Sequence, residues 1–289
     1  MARKLASPAI GRLVEMFKNS SPDCLSLYYL LKNSLKTDNT WPKIDVYADS
    51  EDLARLTSVA ASWHPCDDGD EKAEVWYFFY SLDSDKLKVI LQEPGVINVR
   101  KNTWFNVTLF KSANDQSIRE LLNDKFHMTL HSRDPVHSYV IDGVSESITN
   151  VAERKLPKNL KTAPLELEHA HAMHAAYEYG EPPPLSRFEN TIRYQQNLAI
   201  FNEKDEPISW AVVKEYGDIG MTYTVPSYRR QGLASFLTAK LVVMALQANE
   251  IPFITISRLN EASAAMHTKL GFKRQGEEWT FNLYRQDTN

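Results

Sequence analysis

The chain has 289 residues, 43% of them hydrophobic and 24% charged, which is ordinary usage for a globular protein and unlike a disordered or fibrous one. Its 33 basic and 37 acidic residues give a net charge of −4, which argues against a nucleic-acid partner, whose backbone phosphates call for a basic surplus. Two cysteines, Cys24 and Cys66, cannot build a disulfide framework, show no zinc-ligand spacing and fit a reducing compartment.

The length predicts two domains or one large one. The first residues, Met1-Ala-Arg-Lys-Leu, are basic but lead into no apolar run of signal-peptide length. A cytoplasmic location is expected, with the mitochondrial matrix as the alternative. No stretch reaches the roughly 18 apolar residues of a membrane helix. The richest, Phe236–Leu246, is interrupted by Lys240, so no membrane partner is expected.

In chain order, Pro22-Asp23 opens a helical run to Lys36 with Leu27, Leu30, Leu31 and Leu35 on one side. Ser50 can cap a second helix, Glu51 to Ser62, and Cys66 to Lys72 reads as a loop. Aromatic and β-branched residues predict strands at Glu74–Leu82, Leu87–Gln92, Val96–Arg100 and Trp104–Phe110. Within the first, Trp76 to Tyr80 should be buried. A helix over Ser117–Met128 and a strand over Ser138–Val144 close a mixed α/β domain, residues 1–150.

Residues 145–164, with Ser145, Ser147, Pro157 and Pro164, read as linker, giving boundaries of 151–163 for the linker and 164–289 for the second domain. That domain predicts helices at Leu165–Tyr179 and Leu185–Tyr194, joined by a stiff Gly180-Glu-Pro-Pro-Pro connector. Strands follow at Asn197–Phe201, Pro207–Glu215 and Ile219–Val225. A long helix over Gln231–Ala248, a strand over Phe253–Ser257, a helix over Glu261–Leu270 and a strand over Glu278–Tyr284 complete it. Both halves place helices before a strand meander, which hints at two distant copies of one fold. His169, His171 and His174 lie close together, but 169 and 171 point to different helix sides, and no metal site is expected.

The informative stretch is Tyr223-Thr-Val-Pro-Ser-Tyr-Arg-Arg-Gln-Gly-Leu-Ala-Ser-Phe-Leu. A strand ends, small residues turn the chain, and a helix begins. Gly232 and Ala234 allow close approach to the backbone, and the first N–H groups of the helix lack internal acceptors. This is an anion site suited to a pyrophosphate, with Arg229 and Arg230 adding positive charge. The bland alternative is a tight turn with a solvated basic pair.

Arg229-x-x-Gly232-x-Ala234 resembles the acetyl-CoA signature of the GNAT superfamily of acyltransferases. Asn260-Glu-Ala-Ser263, continuing through His267 to Leu270-Gly-Phe272, is similar to that superfamily's later motif. Pro207-Ile-Ser-Trp210, Gly217-Asp218 and Thr224-Val-Pro-Ser-Tyr-Arg229 narrow the resemblance to the glycine N-acyltransferase group. The resemblance covers roughly residues 160–289. It implies a GNAT-type α/β fold with a mixed sheet, preceded by a second α/β domain that the resemblance reads as a degenerate copy of the same fold.

It also implies acetyl-CoA or another acyl-CoA as donor and a small amine such as glycine as acceptor. The donor would lie on Thr224, Val225, Arg229, Arg230, Gln231, Gly232, Leu233, Ala234 and Ser235, with Asn260 and Ser263 contributing. The resemblance places strand Thr222–Val225 along the pantetheine arm, with an N–H near Val225 facing the thioester oxygen. Asp218 stands where the group carries a glutamate base, although Gly217-Asp218 reads equally as a hairpin turn. His267 stands where many members carry a tyrosine acid; as an imidazolium it could protonate the leaving thiolate, or it could simply pack on the cofactor. Asn260 can also cap the helix starting at Glu261. The expected activity is direct N-acyl transfer. Its rivals are a protein lysine or N-terminal acetyltransferase and a catalytically silent CoA-binding module.

Overall fold

A computed structural model describes residues 3–18, 24–65, 74–97, 104–109, 115–178 and 182–286. The described residues form two compact units. One comprises residues 1–137 together with 276–289, and the other residues 138–275.

The first repeat of elements runs β1 (Arg3–Lys4), α1 (Ser7–Lys18), α2 (Leu25–Lys36), β2 (Ile44–Ala48), β3 (Ser58–Trp63), β4 (Glu74–Ser81), α3 (Ser84–Gln92), β5 (Trp104–Leu109), α4 (Asp115–Phe126) and β6 (Met128–Val140). After α5 (Glu146–Ala152) the same order returns. It reads β7 (Lys161–Ala163), α6 (Ala170–Ala175), α7 (Leu185–Tyr194), β8 (Asn197–Phe201), β9 (Pro207–Val213), β10 (Ile219–Thr224), α8 (Leu233–Gln247), β11 (Phe253–Ser257), α9 (Glu261–Lys269) and β12 (Lys273–Gln286). Each series is strand, two helices, three strands, helix, strand, helix, strand, so the hint of two copies is realised in the element order.

In the first unit β1 to β4 are an antiparallel meander, and β5 then pairs with β4 in parallel. Of the aromatic run, Tyr77, Phe78 and Phe79 are buried in its core, while Trp76 and Tyr80, also expected to be buried, are only partly so. The sheet's next strand comes from the end of the chain. Residues 280–285 of β12 run antiparallel to β5, Thr280 opposite Leu109 and Arg285 opposite Trp104. In the second unit the reciprocal loan occurs: the end of β6 lies beside β11, and Ile141 N–H donates to Pro252 O at 3.3 Å.

The second unit is a sheet, β7-β8-β9-β10, with helices on both faces. One face buries Ile200 and Ile208 with Phe236, Leu237 and Leu241 of α8. The other buries Ala199, Trp210 and Val212 with Met173 of α6 and Phe188 and Ile192 of α7. Alternation along β8 sends successive residues to opposite layers, as a strand covered on both faces requires.

Several local expectations change. Glu51–Ser62 is not a helix; Asp49 accepts the N–H groups of Thr57 and Ser58 and turns the chain into β3, whose six residues are all buried. Leu87–Gln92 is not a strand but the body of α3. Its Leu87, Ile90 and Leu91 have helical spacing, and Asp83 caps it by accepting from the N–H groups of Asp85 and Lys86. Val96 and Ile97 lie in a turn, and residues 98–100, like the Cys66–Lys72 loop and Gly180-Glu181, fall outside the described residues.

The supposed linker 151–163 is folded. Ser145 caps α5 by accepting from Ile148 N–H, and Ile148, Ala152 and Leu160 join the core beneath α8. Seven helical residues with two buried side chains are too few to display a period. The expected helix Leu165–Tyr179 is a one-turn 3-10 segment, Leu167–His169, followed by the short α6, because Glu166 N–H bonds to His169 Nδ1 at 2.9 Å and tightens the first turn.

Candidate active site

Strand β10 organises the site. At its start the hairpin Lys214–Asp218 closes on itself, Lys214 N–H donating to Asp218 O at 2.8 Å, with Gly217 at φ +90°. Asp218 is fully buried. Its Oδ2 accepts from Lys214 Nζ at 3.0 Å and from Thr255 Oγ1 of β11 at 2.5 Å, while Oδ1 is buried without a hydrogen-bond partner. Burial alone would push the Lys214 ammonium down, but Asp218 and Tyr216 outweigh it and raise its pKa, so Lys214 is a held cation. Gly220 leaves the space this lysine crosses, since a Cβ there would overlap the side chain. Behind the hairpin, Thr191 of α7 donates to Glu215 Oε1 at 2.6 Å, and burial, partly offset by Arg187, raises the Glu215 pKa.

The middle of β10 is irregular. Its register against β9 shifts between Gly220 and Tyr223, and Met221 sits at φ +46°. The strands β10 and β11 approach within 8 Å, yet they belong to different sheets and no ladder joins them. The side-chain link from Thr255 to Asp218 spans a slot between two strands whose facing backbone groups are not paired with each other.

At its far end β10 runs into the turn. Val225 N–H donates to Ile208 O at 2.9 Å, so this N–H is committed to β9, and the N–H expected near Val225 to face a ligand is not this one. Thr224 Oγ1 lies 2.8 Å from Ser209 Oγ. Arg229 is also engaged: its Nε donates to Thr224 O at 2.9 Å, its Nη2 meets Glu178 at 3.4 Å, and it lies over the Tyr223 ring. Arg230 at φ +66° and Gly232 at φ +72° bend the chain, and Gly232 is the N-cap of α8. Phe236 N–H makes the first helical bond, to Gly232 O, so the N–H groups of Leu233, Ala234 and Ser235 open outward at the positive end of the helix.

The residues of the later motif are held to one another. Asn260 caps α9 by accepting from Ser263 N–H at 3.0 Å. His267 is buried; its Nδ1 lies 2.8 Å from Ser263 O, which can only accept, so Nδ1 carries the proton. Burial drives the His267 pKa down to about 4, only partly countered by the bond to Ser263. Burial thus favours the neutral ring, which argues against the imidazolium acid expected from the sequence. Asp218 and His267 share no partner among the described residues.

The unfolded imidazole titrates near 6.5, so between pH 6.5 and 4 the unfolded chain holds the extra proton and folding weakens as pH falls. The stability from His267 is complete above pH 6.5 and is lost on the way down to about pH 4, up to about 3 kcal/mol in all. Denaturant melts at pH 5 and pH 7.5 should show this difference shrinking in His267→Asn.

The first unit shows the same elements with the site closed. Its β4 and β5, the counterparts of β10 and β11, are zipped by a parallel ladder from Glu74–Trp104 to Phe79–Leu109. Its strand-to-helix turn carries Asp83, whose carboxylate already accepts the first helical N–H groups. An anion would meet that charge instead of free donors. Sequence reading missed Lys214, Thr255 and Arg154 as site residues; Gly220 was the one local signal for the lysine.

Residues 197–280 match the family model described as FR47-like protein. The bovine (Bos taurus) glycine N-acyltransferase is 21% identical over 215 residues, covering 70% of this chain and 72% of that one. An X-ray structure of a Drosophila protein superposes with a TM-score of 0.77 at 18% identity, over 97% of both chains. A tandem GNAT protein from the clavulanic acid biosynthesis pathway superposes with a TM-score of 0.57 at 12% identity, over 100% of this chain and 99% of that one. The fold is that of the GNAT acyltransferases, in tandem. Within that fold, the sequence is similar to the glycine N-acyltransferase group. No His, Cys, Asp and Glu grouping among the described residues could hold a metal, and no described helix is long and apolar enough to cross a membrane.

Proposed function

We propose that the chain transfers an acyl group from an acyl-CoA directly to the amine of a small molecule, glycine or another amino acid. The observation that carries this reading is the slot between β10 and β11, with an anion-receiving turn at one end and the buried Asp218 carboxylate at the other. In it the pyrophosphate sits on the N–H groups of Leu233, Ala234 and Ser235, and the pantetheine arm lies along β10. Hydrogen-bonding groups alternate sides along a strand, so with Val225 N–H bound to β9 it is Thr224 N–H that faces the slot. Thr224 N–H is thus the N–H near Val225 that β10 offers to the acyl-CoA arm.

Asp218 Oδ1 accepts the ammonium proton of the acceptor, directly or through water. With His267 neutral, the thiolate leaves without an imidazolium. Asn260 and Ser263 serve as the cap of α9 at the cofactor's edge.

A thiol-release assay over acyl-CoAs and amino acids tests this, and silence across the panel with CoA bound would overturn the acceptor class. The close engagement of Asp218 by Lys214 and Thr255 favours one second reading, a silent CoA-binding module, and that same silence is its signature. Calorimetry should give one CoA per chain, because the zipped β4–β5 pair and Asp83 leave the first unit no equivalent slot. A stoichiometry of two would contradict this.

A further inference from the structure

Arg154 lies just beyond α5, outside the residues matched by the FR47-like family model. Its guanidinium reaches across to the turn before α8. Nη1 donates to Gln231 O at 3.4 Å and Nη2 to Gly232 O at 3.2 Å. The group also lies 5.8 Å over the Phe236 ring, and Lys240 lies 5.2 Å from the same ring. A Cβ on residue 232 would come within 2.9 Å of Nη1, so glycine supplies the room the guanidinium uses.

The two carbonyls matter because of what they are attached to. Gln231 C=O shares its peptide unit with Gly232 N–H, and Gly232 C=O shares its own with Leu233 N–H. A cation on a carbonyl oxygen polarises the whole peptide and makes its N–H a stronger donor. It also fixes the plane of a backbone that Arg230 and Gly232 carry through the left-handed region. Arg229 cannot do this, since it is engaged by Thr224 O and Glu178.

We propose that Arg154 is a positioning residue for donor binding: from the carbonyl side it fixes the Gly232 peptide and orients and polarises the Leu233 N–H, the first of the groups that receive the pyrophosphate. This rests on the acyl-CoA reading above. Arg154 acts through the turn and not as a ligand of the 3′-phosphate, so it selects for the diphosphate-bearing donor over a bare pantetheine thioester.

The test measures binding of CoA, 3′-dephospho-CoA and pantetheine by calorimetry to the full chain, to Arg154→Met and to Arg154→Lys, with thermal melts of each. Losing two charge-assisted bonds should weaken CoA and 3′-dephospho-CoA alike, by about tenfold. Pantetheine binding should stay unchanged, and Arg154→Lys should recover part of the loss because an ammonium can reach one carbonyl. With any acyl donor that turns over, KM should rise and kcat should hold. Unchanged CoA affinity, a loss confined to the 3′-phosphorylated form, or an equal loss for pantetheine would each overturn the proposal. If Arg154→Met does not fold, the same comparison on Arg154→Lys decides. If the unsubstituted chain binds no CoA, the acyl-CoA reading itself fails; if it binds and the variants bind equally, only the role of Arg154 fails.

Discussion

Gly232→Val should weaken CoA binding about a hundredfold, the equivalent of nearly 3 kcal/mol. Two causes add. Residue 232 sits at φ +72°, where a β-branched side chain is strained by roughly 1–2 kcal/mol. Its Cβ also lands 2.9 Å from the Arg154 guanidinium, which must give way. The bend then relaxes, and the Leu233, Ala234 and Ser235 N–H groups no longer converge. Gly232→Ala lacks the branch and should fall between the two. Calorimetric titration with CoA, beside a circular dichroism melt, separates loss of the site from loss of the fold. Valine binding CoA like the parent chain would place the donor elsewhere.

Asp218→Asn should lower acyl transfer by about two to four orders of magnitude, the usual span for losing a general base. CoA affinity should hold, because Asp218 lies at the opposite end of β10 from the turn. The same substitution leaves the Lys214 ammonium without its counter-charge. Breaking a buried pair in this way costs about 3–5 kcal/mol in the extreme, and less here because the lysine side chain keeps 18% exposure. Activity and stability must therefore be read separately. Asp218→Asn combined with Lys214→Met removes both charges and should restore much of the stability while leaving transfer as low as in the single variant. Restored transfer in the double variant would show that Asp218 served only to neutralise Lys214.

The strands and longest helix of the second repeat were legible in the sequence because β8 and β9 are short apolar runs and the helix starts at a turn spelled out by Pro226, Arg229 and Gly232. The first repeat was harder. Leu87-Lys-Val-Ile-Leu-Gln satisfies a strand composition, and only the Asp83 cap tips it to a helix. The β3 residues follow a polar capping pattern that imitates a helix start, and the side chain of Asp49, which redirects them, acts across eight residues.

In the site, the backbone turn was legible but its partners were not. Arg154 meets Gln231 across 77 positions, and Thr255 meets Asp218 across 37. The commitment of Val225 N–H depends on strand register, and the neutrality of His267 on burial. Those are tertiary quantities that no local spacing encodes.

The strand loaned to the first unit has a consequence for how the chain comes into being. Residues 1–137 are synthesised well before residues 280–285, and their sheet stays one strand short until that later segment has emerged. Until then β5 presents an unpaired edge, the kind of surface that invites pairing with a neighbouring chain. Nascent chains stopped before residue 276 therefore carry that exposed edge as a permanent feature.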